Sequence, residues 1–246
     1  MNRLIVGIIQ GLTEFLPVSS SGHLVVAQNL LEVNKPGIGF EILLHVATLT
    51  AIFIYFWRDI IKLFRKEKFL KHPIFYLFVA SIPAGVVGIL LNEKIEGLFE
   101  TVHYVKYFFL VNSLILFTLF ITKRKKEKTI NLKIAFLIGI AQALAIIPGI
   151  SRSGSTITMA LLLGVNEREA FSFSFLLSIP AILGAAFLKA GEVEALNISG
   201  YVLPFFAALF SGLLALFILK RITINNKIQY FGFYTLCLAL LLIIFV

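Results

Sequence analysis

The chain has 246 residues, of which 59% are hydrophobic and only 14% charged, and its mean hydropathy is +0.96. A soluble domain carries roughly 45–50% apolar and about 25% charged residues, so soluble fold classes are excluded. The net charge of +9 therefore needs a membrane explanation, and the single cysteine, Cys237, excludes an internal disulfide.

The first segment, 4–31, is apolar but interrupted by Gln10 and Glu14 and broken at Pro17 and Gly22. With only Arg3 as a basic residue ahead of it, it does not read as a cleavable signal peptide. Apolar runs follow at 40–57, 74–91, 107–122, 132–147, 171–189, 199–219 and 228–246. Several approach or reach the ~20 residues an α-helix needs to cross a bilayer. The expected fold is an all-α polytopic membrane protein.

Most of the 22 Lys and Arg fall in three short segments between these runs. They are 58–71 (Arg58 to Lys71), 123–133 (Lys123 to Lys133) and 220–227 (Lys220, Arg221, Lys227). Two of the other inter-run loops lean acidic, through Glu93, Glu96 and Glu100 and through Glu192 and Glu194. Short loops rich in Lys and Arg stay in the cytoplasm. The charge thus reports orientation and contact with membrane lipids, and no nucleic-acid partner is expected.

Orientation constrains the topology. With the basic loops inside, 74–91 runs out, 107–122 returns, 171–189 runs out and 199–219 returns. Segment 132–164 then starts and ends inside, which makes it a re-entrant hairpin broken near Pro148-Gly149. Segment 4–31 is either one crossing or a second hairpin opening outward, and comparison of the two halves favours the hairpin. Gly7-Ile8-Ile9-Gln10 aligns with Gly139-Ile140-Ala141-Gln142, Ser19 with Ser151, Ser21 with Ser153 and Gly22 with Gly154. The expectation is a single membrane domain of two halves, 1–131 and 132–246. Each half has one hairpin and three crossings, so about six transmembrane helices form an inverted-topology repeat with both termini outside. Such repeats place their site where broken helices meet near the midplane.

Nearly all the costly intramembrane polar groups lie at the two breaks. An ionised side chain at mid-membrane costs about 2.5–3.5 kcal/mol on insertion scales, and such groups mark sites. Arg152 offers a planar two-pronged donor for phosphate or carboxylate. Ser19, Ser21, Ser151, Ser153 and Thr156 add hydroxyls near helix starts, where backbone N–H groups and the dipole favour an anion. A structural Arg152–Glu14 ion pair is the plainer alternative. Gln10 and Glu14, four residues apart on one helix face, suit a hard divalent cation completed by phosphate oxygens, or Glu14 serves as a general base. Ser19, Ser20 and Ser21 are candidate nucleophiles, with His23 three residues from Ser20, close enough for a serine–base arrangement. Small hydroxyl residues also glue membrane helices together. Glu41 and His45, at i and i+4, form an outer shell or a mutual hydrogen bond.

At Gln10-x-x-x-Glu14, Pro17-Val-Ser-Ser-Ser-Gly-His23 and Pro148-Gly-Ile-Ser-Arg-Ser-Gly-Ser-Thr156 the chain resembles the undecaprenyl-diphosphatase, or bacitracin-resistance, family. Phe40-Glu41 and Phe173-Ser-Phe-Leu-Leu extend the resemblance to essentially the whole chain. It implies hydrolysis of a polyprenyl diphosphate lipid, undecaprenyl diphosphate, to the monophosphate and inorganic phosphate. It also implies a site opening to the outer side of the bacterial plasma membrane, dependence on Mg²⁺ or Ca²⁺, and Glu14, Ser20, His23 and Arg152 as the catalytic set. The phosphatidic-acid type of membrane phosphatase needs a His beyond the Arg, and none follows Arg152. A transporter of an anionic polyprenyl-phosphate lipid is the rival class. A homo-oligomer is compatible with the sequence.

Overall fold

The computed structural model describes residues 2–30, 38–64, 72–91, 97–98, 102–122, 128–188 and 200–245. Arg65 to Lys71, Glu93, Glu96, Glu100, Lys123 to Lys126, Glu192 and Glu194 lie outside the described residues. The described residues include ten α-helices: α1 Asn2–Phe15, α2 Ser20–Leu30, α3 Ile38–Leu63, α4 Pro73–Leu90, α5 Val102–Ile121, α6 Leu132–Leu144, α7 Arg152–Leu162, α8 Glu167–Leu188, α9 Val202–Ile224 and α10 Phe231–Phe245. A 3₁₀ turn, Ile228–Tyr230, leads into α10.

Helix length divides these elements into two groups. Among the described residues six segments are long and apolar enough to cross a membrane: α3, α4, α5, α8, α9 and the last one with its 3₁₀ turn. The other four have 14, 11, 13 and 11 residues. At 1.5 Å per residue the longest reaches about 21 Å, short of a hydrocarbon core of about 30 Å. They pack instead as two pairs, α1 on α2 and α6 on α7.

Several boundaries differ from those read off the apolar runs. Gly22 is not at a break: it lies inside α2, and the first break is at 16–19. Its missing side chain serves close packing, since a Cβ there would sit 2.7 Å from a Phe109 ring carbon and 3.0 Å from Gly149 Cα. Lys220 and Arg221 belong to α9, and Arg58 to Lys62 belong to α3. Backbone hydrogen bonding carries a helix past the end of its apolar run, because charged side chains in the headgroup region do not oppose it.

Under the correspondence expected from the sequence of the two halves, the helix pairings exchange. α1 packs on α9, and its counterpart α6 packs on α4, the counterpart of α9. Likewise α3 packs on α9 while α8 packs on α4, and α5 packs on α10. Glycines make the first two contacts close: a Cβ on Gly7 would lie 2.5 Å from Pro204 O, and one on Gly139 would lie 2.4 Å from Ala80 O. Small residues at such crossings let backbones approach and gain dispersion contact, the main attraction between helices in lipid. A large cluster including Phe15, Phe40, Phe56, Phe171 and Phe175 fills the centre, so the breaks are covered by protein rather than by lipid.

Candidate active site

Each break has a local cause. Proline at 17 has no N–H and disfavours helical backbone in the residue before it, so α1 stops at Phe15. The chain turns through Ser19, which has φ +70°, a left-handed conformation that costs a non-glycine residue roughly 1–2 kcal/mol. Local hydrogen bonds hold it there: Ser19 Oγ accepts from Gly22 N at 3.4 Å and from Gly149 N of the other break at 3.0 Å. In the second break the left-handed position falls on Gly149, at φ +99°, which needs no such support. Ser151 then caps α7, its Oγ accepting from Gly154 N at 3.1 Å.

The two breaks are stitched to each other. Asn112, fully buried on α5, donates from Nδ2 to Pro17 O at 3.1 Å and accepts at Oδ1 from Ser151 N at 2.9 Å. Ser153 Oγ donates to Leu16 O at 3.3 Å. The outcome is that the starts of α2, at Ser20, and α7, at Arg152, meet in one place. Two sets of N-terminal N–H groups there make a region of positive potential inside the protein.

Glu14 sits at the centre. Its Oε1 accepts from Arg152 Nη2 at 2.7 Å. Its Oε2 accepts from Ser20 Oγ at 2.7 Å and from Gln10 Nε2 at 3.2 Å. His45 Nδ1 approaches Glu14 Oε2 to 3.8 Å and Gln10 Nε2 to 3.3 Å. Two polar atoms of this cluster are buried and unpartnered, Arg152 Nη1 and Gln10 Oε1. An unpaired buried donor carries a desolvation penalty of about 1–3 kcal/mol, more when charged, which an arriving anion would remove.

The structure thus brings Gln10, Glu14, Ser20 and Arg152 together, and it includes the Arg152–Glu14 pair that was the plainer alternative. Ser20 is hydrogen-bonded to Glu14 rather than to His23. His23 instead places Nδ1 at 2.7 Å from Ser19 O and Nε2 at 2.8 Å from the Tyr234 hydroxyl. Ser19, Ser21, Ser151 and Ser153 bond one another or backbone around the breaks. Thr156 turns away, bonding Ser174 Oγ on α8 at 2.6 Å. That contact ties two helices together and leaves its hydroxyl engaged. His45 meets Gln10 and Glu14, so its partners lie on α1 rather than at Glu41. Asn112 went unremarked in the sequence, although a lone carboxamide inside the apolar run 107–122 is a visible cost. Tyr234 carried no signal, because tyrosine is common near membrane interfaces.

The profile of the bacitracin resistance protein BacA family matches residues 3–241. The chain belongs to this family. Among its relatives is the undecaprenyl-diphosphatase of Thermosipho africanus, 40% identical over 98% of each chain. The undecaprenyl-diphosphatase of Methanococcus vannielii is 38% identical over the full length of both. Undecaprenyl-diphosphatase 2 of Halalkalibacterium halodurans is 35% identical over all of this chain and 95% of the relative. This family member is a multi-pass membrane protein, with its polar cluster held between the two broken segments.

The donor set also bears on a divalent cation. Among the described residues no three His, Cys, Asp or Glu side chains converge as a metal cage. Glu14 and the unpartnered Gln10 Oε1 offer two oxygen donors, beside a guanidinium that disfavours a free cation. This set fits a hard cation that arrives with diphosphate oxygens in its shell, and does not fit a metal held by protein alone.

Proposed function

We propose that this chain hydrolyses undecaprenyl diphosphate to undecaprenyl phosphate and inorganic phosphate at the outer face of the plasma membrane, returning the lipid carrier for cell-wall synthesis. The observation that carries the mechanism is one carboxylate, Glu14, holding a serine hydroxyl on one oxygen and an arginine on the other. Family membership and the relatives' activity supply the substrate class. The halves 1–131 and 132–246 are read as inverted repeats, supported by the exchange of helix pairings.

In this reading the terminal phosphate docks against the starts of α2 and α7 and takes the free Arg152 Nη1. Ser19, Ser21, Ser151 and Ser153 shape the phosphate pocket around it. Glu14 accepts the Ser20 proton as Oγ attacks the terminal phosphorus. The bond from phosphorus to the bridging oxygen breaks, its electron pair leaves with the lipid monophosphate, and Glu14 returns the proton to that oxygen. Water then attacks the phosphoserine, giving one proton to Glu14, which restores it to Ser20 Oγ as inorganic phosphate departs. His23 completes the catalytic set, with Nδ1 on Ser19 O and Nε2 on the Tyr234 hydroxyl. Glu14 and Gln10 would hold Mg²⁺ or Ca²⁺ with the diphosphate, and the bound cation would offset phosphate charge.

Phosphate release by the detergent-purified chain tests the activity, because a carrier of the same lipid needs two compartments and releases none. Acid quenching during turnover should trap phosphate on Ser20. Phosphate mapped to His23, or no enzyme-bound phosphate while turnover proceeds, overturns Ser20 as nucleophile.

A further inference from the structure

His23 is held by groups from three directions. Its Nδ1 faces Ser19 O at 2.7 Å, and a carbonyl only accepts, so Nδ1 carries the hydrogen. In the neutral ring Nε2 is then the lone-pair nitrogen. It meets the Tyr234 hydroxyl at 2.8 Å, which therefore donates to it. The two rings lie within 6° of parallel at 5.7 Å, and Phe109 closes edge-on at 5.3 Å. We propose that Tyr234 is a positioning residue that fixes the ring orientation of His23, a proposal that rests on the catalytic reading of His23.

Tyr234 comes from the last helix, α10, 211 residues from His23 in sequence, and α10 contributes no other group to the polar cluster described above. Its ring is half-exposed, forming one wall of a cavity of about 460 Å³ with Ile222, Lys227, Tyr230 and Phe231. Tyr230, one turn earlier, packs edge-on against Phe120 at 5.4 Å and leaves the site to Tyr234. A tyrosine acting only as an interface anchor would need its hydroxyl in the headgroup region. Here the hydroxyl is engaged by a ring nitrogen. An imidazole works only when its ring is held within hydrogen-bond reach and in the right tautomer; here Ser19 O sets the tautomer through Nδ1, and the Tyr234 hydroxyl on Nε2 holds the ring angle.

The test uses the full chain in detergent, turning over a polyprenyl diphosphate, with ¹⁵N-labelled histidine. His23→Gln assigns the His23 ring signals. Tyr234→Phe keeps the ring and removes one oxygen, so it retains the packing. The expected result is a shift of the His23 Nε2 signal and a kcat about tenfold lower at unchanged KM, the size of one lost hydrogen bond. Tyr234→Leu should lose the same factor. Unchanged His23 signals, an unchanged kcat in Tyr234→Phe, or a loss seen in Tyr234→Leu alone overturns the proposal. His23→Ala separates the two levels. An inactive His23→Ala beside a wild-type Tyr234→Phe refutes only the positioning role, whereas a fully active His23→Ala refutes the catalytic reading itself.

Discussion

In the proposed mechanism one guanidinium performs two tasks, and Arg152→Lys divides them. One terminal nitrogen lies 2.7 Å from Glu14 Oε1, and the other is buried with no partner. Lysine keeps the positive charge but replaces the planar fork with a compact ammonium on a flexible stem. That ammonium stays with Glu14, since a carboxylate left unpaired within the membrane is costly, and the phosphate loses its donor. Removing one well-aimed transition-state donor costs about 2.7–4 kcal/mol, or roughly 10²–10³ in rate. Because the interaction grows as the bond breaks, kcat and kcat/KM should fall together. Arg152→Ala goes further, stripping Glu14 of its counter-charge, and breaking a buried pair costs about 3–5 kcal/mol. Its Tm should fall while that of Arg152→Lys holds, although both still insert. The assay is phosphate release per folded, detergent-purified molecule, with thermal unfolding alongside. If Arg152→Lys keeps most of its turnover, the fork has no role in catalysis and the ion pair with Glu14 is its whole function.

If a cation travels with the diphosphate, chelation should abolish phosphate release and Mg²⁺ or Ca²⁺ should restore it, with Glu14→Gln nearly inactive at saturating metal. Full activity in excess chelator would remove the metal from the mechanism. Asn112→Leu strands Pro17 O and Ser151 N, each at about 1–3 kcal/mol, so Tm and turnover should both drop; wild-type values for both would show that the breaks are held without it. In a Cys237→Ser background, which removes the exposed native thiol, a cysteine at Lys128 should react with an impermeant reagent only after permeabilisation, whereas one at Gly200 reacts in intact cells. The opposite pattern inverts the orientation.

The residue types and their order were enough for the membrane class, the six crossings and the two interrupted segments, because lipid imposes a length and an apolarity that show directly in composition. They also exposed Glu14 and Arg152, since a charge amid apolar residues stands out wherever the chain later takes it. Pairing was not legible. Glu14 meets Ser20 six residues away and Arg152 138 residues away, and only the second distance depends on how the two hairpins face each other. Local periodicity does not specify that approach, which rests on the close contact of Gly22 with Gly149 and on the Asn112 bridge. The same limit hid the partner of His23: its proximity to Ser20 along the chain suggested a serine–histidine couple. The tertiary fold turned Nδ1 onto the Ser19 carbonyl and gave Nε2 to Tyr234 on the last helix. Sequence thus determined which groups had to be buried in the membrane, and packing decided which of them touch. Burial follows from each residue's own transfer energy, whereas contact depends on the relative placement of helices distant in the chain.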